Sequence, residues 1–146
     1  MRNKGVVVIT LVVVLAITSV FVWNYLNHQD YLKEIVHETD RWAVIRDSKG
    51  DHIAVESTSD EVWNQLVELY HNKTVRWIGG VVIEYNNKWG FRFKPETITV
   101  AEITVEGAQS WIRGISEDLD YWMNLGWVTY VSARVTEIHP CMHAAS

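Results

Sequence analysis

From Val6 to Val22 the chain reads VVVITLVVVLAITSVFV, seventeen residues without a charge. At about 1.5 Å of helical rise per residue, Val6 to Leu26 covers roughly 30 Å, the thickness of a bilayer's hydrocarbon core. A strand buried in a soluble protein runs for only about 4–8 residues, so this segment reads as a membrane span over residues 6–26. A secretory signal peptide has a shorter apolar region followed by small residues at a cleavage site. Here Phe21-Val22-Trp23-Asn24-Tyr25 follows instead, and the small-residue stretch Ala16 to Ser19 lies inside the run. The segment therefore reads as an uncleaved anchor, with Trp23 and Tyr25 suited to the membrane interface. With no cysteine directly after it, a lipoprotein anchor is excluded.

Basic flanks set the expected orientation. Arg2 and Lys4 precede the span, and the next basic residue of the Lys/Arg type is Lys33. The positive-inside bias places residues 1–5 in the cytoplasm and everything after Leu26 outside it, which predicts a single-pass protein of the cell membrane. Without Arg2 and Lys4, 11 basic residues face 18 acidic ones, a net of −7. That balance argues against a nucleic-acid partner, because neutralising phosphates needs clustered Lys and Arg. Cys141 is the single cysteine, so an intrachain disulfide is impossible.

The exported part suffices for one domain with one core. Residues 27–39 read as a polar continuation of the anchor helix or a stalk, 40–138 as the domain and 139–146 as a C-terminal tail. Trp42–Ile45 and His52–Glu56 read as strands joined by a turn at Asp47-Ser-Lys-Gly50. Thr58-Ser-Asp-Glu61 has capping-box spacing, and Val62, Leu66, Leu69 and Tyr70 share one face of a helix ending near Asn72. Thr74–Tyr85 predicts a long strand in which Gly79-Gly80 marks a bulge or a close backbone approach. Asn86-Asn87 predicts a turn, after which Trp89, Phe91 and Phe93 alternate as the inner face of a strand. Residues 98–104 are a further extended candidate. Ala108, Trp111, Ile112, Ile115, Leu119 and Trp122 form a stripe that predicts an amphipathic helix of about 17 residues. Trp127–Ile138 reads as the closing strand. The sum is an α+β domain, a mainly antiparallel sheet with two packed helices behind an N-terminal transmembrane helix. The seven tryptophans from Trp42 onward are expected to pack its core.

No Gly-x-Ser-x-Gly elbow, His-Glu-x-x-His, phosphate-binding glycine loop or Cys-x-x-Cys occurs, and the chain reads as non-enzymatic. One constellation has metal-ligand chemistry. In an extended segment His139, Cys141 and His143 point the same way, and imidazole with thiolate suits Zn or Cu. Otherwise no cofactor is expected. His28, His37, His52 and His71 show no ligand spacing. Glu117, Asp118 and Asp120 lack the pattern of a calcium loop and read as a solvated helix face. Asn72-Lys73-Thr74 is an N-glycosylation sequon.

The block Trp89-Gly-Phe-Arg-Phe-Lys-Pro-Glu-Thr-Ile98, with the acidic helix of 106–122 and the closing strand of 127–138, resembles a small known domain family. It is the family of the slime-mould chemotaxis inhibitor with calpain-inhibitor-like activity. Membrane-anchored archaeal or bacterial proteins of this type are the nearer parallel. The likeness spans roughly residues 43–138 and rests on Trp89-x-Phe91 and Pro95-x-x-Ile98. Family cysteines in the helix region and near the closing strand have no counterpart before Cys141, and Arg92 stands at a histidine-like position. The resemblance implies the fold and, more distantly, a peptidase-inhibitor-like activity. Taken with the anchor, it predicts an extracytoplasmic domain that binds a protein partner. The alternative is an extracytoplasmic Cu- or Zn-binding protein using His139, Cys141 and His143.

Overall fold

A computed structural model of the protein describes residues 3–33, 41–103 and 108–140. The apolar run forms the middle of helix α1, Asn3–Lys33. Its stretch Asn3–Leu26 is long and apolar enough to cross a membrane by length and composition, and none of it is buried against the protein. Its hydroxyls are satisfied within the helix. Thr10 donates to the Val6 carbonyl at 2.9 Å, Thr18 to Val14 at 2.9 Å and Ser19 to Leu15 at 2.7 Å. This is the pairing a polar side chain needs where no water is available. The polar continuation remains helical to Lys33; the rest of the expected stalk, 34–39, lies outside the described residues.

Beyond it lies an α+β fold. Strands β1 (Trp42–Asp47) and β2 (His52–Glu56) form the expected hairpin, followed by helix α2 (Asp60–Asn72) and strand β3 (Arg76–Glu84). Then come β4 (Phe91–Phe93), a 3-10 turn (Pro95–Thr97), β5 (Thr99–Ala101) and β6 (Ala108–Ser110). Helices α3 (Ile112–Glu117) and α4 (Leu119–Leu125) precede the long strand β7 (Val128–His139). The strand order is β2-β1-β7-β3-β4, with β5 also on β3 and β6 on β7; β6–β7 is the parallel pair and the others are antiparallel.

One core collects the inward side chains of the sheet, Ile45, Ile53, Ile78, Phe91, Phe93 and Val131 among them, together with those of the helices. α2 contributes Trp63, Leu66 and Leu69, and α3 contributes Ile112 and Ile115. The two ends of the strand row approach each other. Trp89, just before β4, donates its indole N–H to the His52 carbonyl of β2 at 2.7 Å, and its own carbonyl accepts the Ser116 hydroxyl at 2.7 Å. Gly79 marks a close approach rather than a bulge, since a Cβ there would collide with the Thr129 backbone of β7.

Several sequence expectations are corrected. The cap of α2 is Ser59 rather than Thr58: its side chain accepts from Val62 N–H, leaving no Glu at the reciprocal position of a capping box. The buried face of α2 runs through Trp63, Leu66 and Leu69, while Tyr70 turns outward. The expected 17-residue helix is two short ones. Ala108–Ser110 instead pairs with β7, and Asp118, at φ −136° and ψ 54°, breaks the helix between Glu117 and Leu119. The extended candidate 98–104 shortens to β5, its last residue lying outside the described ones. Core packing holds for Trp63 and Trp89, whereas Trp111 and Trp127 are 47% and 60% exposed. Both of these sit at element ends, where no facing layer covers them.

The β1–β2 turn is organised by Asp47, a 6%-exposed carboxylate. One oxygen accepts the backbone N–H of Lys49 at 2.9 Å and of Asp51 at 3.0 Å; the other accepts the N–H of Ile112 at 2.9 Å. The same side chain thus closes a hairpin and caps α3 from 65 residues away. Asp47→Ala leaves three N–H groups without this acceptor and should cost about 2–3 kcal/mol of stability. Thermal unfolding of the full chain in detergent, followed by tryptophan fluorescence, checks this, with Asp47→Asn expected to lose less because it keeps one acceptor.

Candidate binding surface

β7 is the strand on which the surface is built. Its first half has strands on both edges, β3 over Val128–Ala133 on one and β6 over Thr129–Val131 on the other. From Ala133 to His139 it pairs with β1. Its opposite edge, from Arg134 to His139, has no strand partner among the described residues. The reason is local. β3 begins at Arg76 opposite Ala133, and the chain enters it from the turn that ends α2. That turn is made by Lys73 in the left-handed conformation, φ 53° and ψ 35°, with its N–H bonded to the Leu69 carbonyl.

A groove of about 500 Å³ adjoins this turn, lined by Tyr70, His71 and Lys73 of the α2 end and by Arg134, Val135 and Thr136 of β7. A second, of about 240 Å³, shares Arg134 and is lined by Arg46, Val75 and Ser132 among others. Tyr70 is 39% and Val75 54% exposed, so each groove carries an apolar contact beside its cations.

A bulge sorts the side chains of β7. Ile45 pairs with Val135 but Val44 with Glu137, which makes Thr136 the extra residue. Its hydroxyl donates to the Val44 carbonyl at 3.3 Å. Val131, Ala133 and Val135 face the core; after the bulge the inward position passes to Ile138, leaving Glu137 and His139 on the outer face.

On that outer face three basic side chains stand abreast across three strands. Arg134 of β7 is directly opposite Arg46 of β1, and Arg46 is directly opposite His52 of β2. Like charges in facing positions destabilise a sheet. His52 registers the consequence: burial lowers its pKa below the usual histidine value, and the Arg46 guanidinium lowers it further.

Of the expected metal ligands, His139 is held in β7. Its ring stacks on Trp42 at 3.5 Å between centroids and 11° between planes, and its Nε2 lies 3.1 Å from Glu137 Oε2. Cys141 and His143 lie outside the described residues. Among the described residues no three His, Cys, Asp or Glu side chains come together to hold a metal. Asn72 of the sequon is exposed at the last position of α2, and Thr74 Oγ1 donates to its carbonyl at 3.4 Å. Glu117, Asp118 and Asp120 are exposed, as expected. The open β7 edge, Arg46 and Arg134 were not singled out from sequence. The alternation V131-x-A133-x-V135 giving way to I138 is the signal that would have shown the bulge.

Comparison with protein-family models, with curated proteins and with solved structures finds no match to this chain.

The shift at His52 gives a pH dependence. Because its folded pKa lies below its unfolded value, the unfolded chain binds the extra proton first. Its contribution to stability is therefore complete above the unfolded histidine value, near 6.5, and is lost as pH falls through the folded value. Thermal unfolding between pH 7.5 and pH 5 should show a falling midpoint, and His52→Gln should flatten that part of the curve.

Proposed function

We propose that the chain is a single-pass anchored protein whose domain lies outside the cytoplasm and binds a protein partner along the open edge of β7. The supporting observation is that edge itself. Unpaired strand edges are surfaces that proteins ordinarily cover, because they invite pairing with another chain. Here the edge is flanked by grooves with exposed Tyr70 and Val75, the arrangement strand addition uses to gain affinity from backbone bonds and specificity from side-chain pockets. Anchor and orientation are supported by the apolar helix and by Arg2 and Lys4 before it. A peptidase-inhibitor-like activity is the finer form of this reading. Its family motif does not itself supply the contact surface, since Trp89, Phe91 and Phe93 are buried in the core.

Two measurements on intact cells test the proposal. Cys141 is the single cysteine, so a membrane-impermeant maleimide should label the protein without permeabilisation. Labelling that appears only after permeabilisation reverses the orientation. A photo-crosslinking phenylalanine analogue at Tyr70 should form a discrete adduct that the same group at exposed Tyr121 does not. Equal or absent adducts at the two positions end the binding reading, and an adduct with a peptidase carries the inhibitor reading.

The Glu137–His139 pair favours a second reading, Cu or Zn binding by His139 with Cys141 and His143. A carboxylate on Nε2 orients an imidazole and leaves Nδ1 to a metal. Native mass spectrometry of the full chain with Cu or Zn should then show one bound ion, lost in His139→Ala; binding unchanged by that substitution removes the reading.

A further inference from the structure

Three basic side chains beside the open edge sit where folding alone does not favour them. Lys73 occupies a left-handed position, φ 53°, at the end of α2, where glycine carries no steric penalty. Arg134 and Arg46 face each other across β7 and β1, a like-charge pair that weakens the sheet. All three are exposed, and none makes an ion pair among the described residues. Among the described residues Asp47 is the one acid lining either groove, and its oxygens are engaged by backbone N–H groups. This cationic strip belongs to a part of the chain whose net charge is −7, so it is a local departure from the overall field. Residues kept in unfavourable settings point to a role outside folding.

We infer that the partner segment is an acidic peptide in extended conformation, added to the free edge of β7 at Arg134–His139 with its carboxylates toward Lys73, Arg134 and Arg46. The inference rests on the binding reading above and names its chemistry. An extended strand carries side chains alternately to opposite faces, so acids at alternate positions meet the outer-face arginines while the intervening residues reach the exposed Tyr70. Backbone pairing fixes the register, and the cations discriminate against basic or neutral segments.

The test uses the full chain in phosphatidylcholine nanodiscs and a fluorescein-labelled octapeptide of alternating glutamate and valine, followed by anisotropy. The acidic peptide should bind and its lysine-for-glutamate counterpart should not. Lys73→Gly and Arg134→Gln should each weaken binding about threefold to fivefold, the size expected of solvent-exposed ion pairs. Both variants should unfold at or above the parent temperature, since each relieves an unfavourable arrangement, and this separates lost binding from lost fold. N-methylation of alternate peptide bonds should abolish binding. Unchanged affinity in both variants, or full affinity of the N-methylated peptide, overturns the inference. So does equal competition by inorganic phosphate or by phosphatidylglycerol vesicles, which would assign the strip to a phosphate group. If the acidic peptide fails to bind while the Tyr70 adduct forms in cells, this inference falls and the binding reading stands; if both fail, both fall.

Discussion

The domain depends on one buried carboxylate. Asp47 ends β1 on the core side of the sheet, where an unpaired charge would be expensive, and its oxygens are met by three backbone N–H groups. Two of those groups belong to the turn into β2, and the third is the first N–H of α3. A local turn and a distant helix are thereby set against each other without a disulfide, which a chain with one cysteine cannot form. Arg113 with Asp51 and Lys49 over the Trp111 ring extend the same junction outward, at 3.0 Å and 5.5 Å. These exposed contacts are worth far less than the buried one.

Trp89 plays a corresponding role between β2, β4 and the same helix α3. Its ring is buried, its indole N–H holds the edge carbonyl of β2, and its own carbonyl receives a hydroxyl from α3. Among the described residues one edge of the C-terminal half of β7 has no strand partner, because the Lys73 turn directs the chain into β3 only from Arg76 onward. The same strand carries the bulge at Thr136 that turns Glu137 and His139 out of the core. In its second half β7 thus keeps Val135 and Ile138 inward while Arg134, Glu137 and His139 face outward.

How far this was legible depended on whether each signal was local. The hairpin of Trp42–Glu56, the inward alternation of Trp89, Phe91 and Phe93, and the close approach at Gly79 were readable because each follows from side-chain period or from the absence of a Cβ. The stripe from Ala108 to Trp122 misled at its start. Ala108 has helical spacing with Trp111 and Ile112, but pairing of Ala108–Ser110 with β7 satisfies that backbone first, and Asp118 interrupts the remainder. Tryptophan content overstated the core, because Trp111 and Trp127 lie at element ends where large rings have nothing facing them. On α2 the helical period was right and the face wrong by one residue: Trp63 took the inward place assigned to Tyr70.

An uninterrupted apolar run, its basic flank and a lone cysteine are properties of the chain in any conformation. They carry the membrane-length helix and the absence of intrachain disulfides, and side-chain period adds most of the strands. The basic strip beside β7 is of another kind. Arg46, Lys73 and Arg134 are separated by dozens of residues and have no shared spacing. They are gathered by strand register and by a left-handed turn. Whether β7 keeps a free edge depends on where β3 begins, a matter of competition among backbone hydrogen bonds across the whole sheet. No local pattern encodes that competition, so the surface is visible only once the strands are paired.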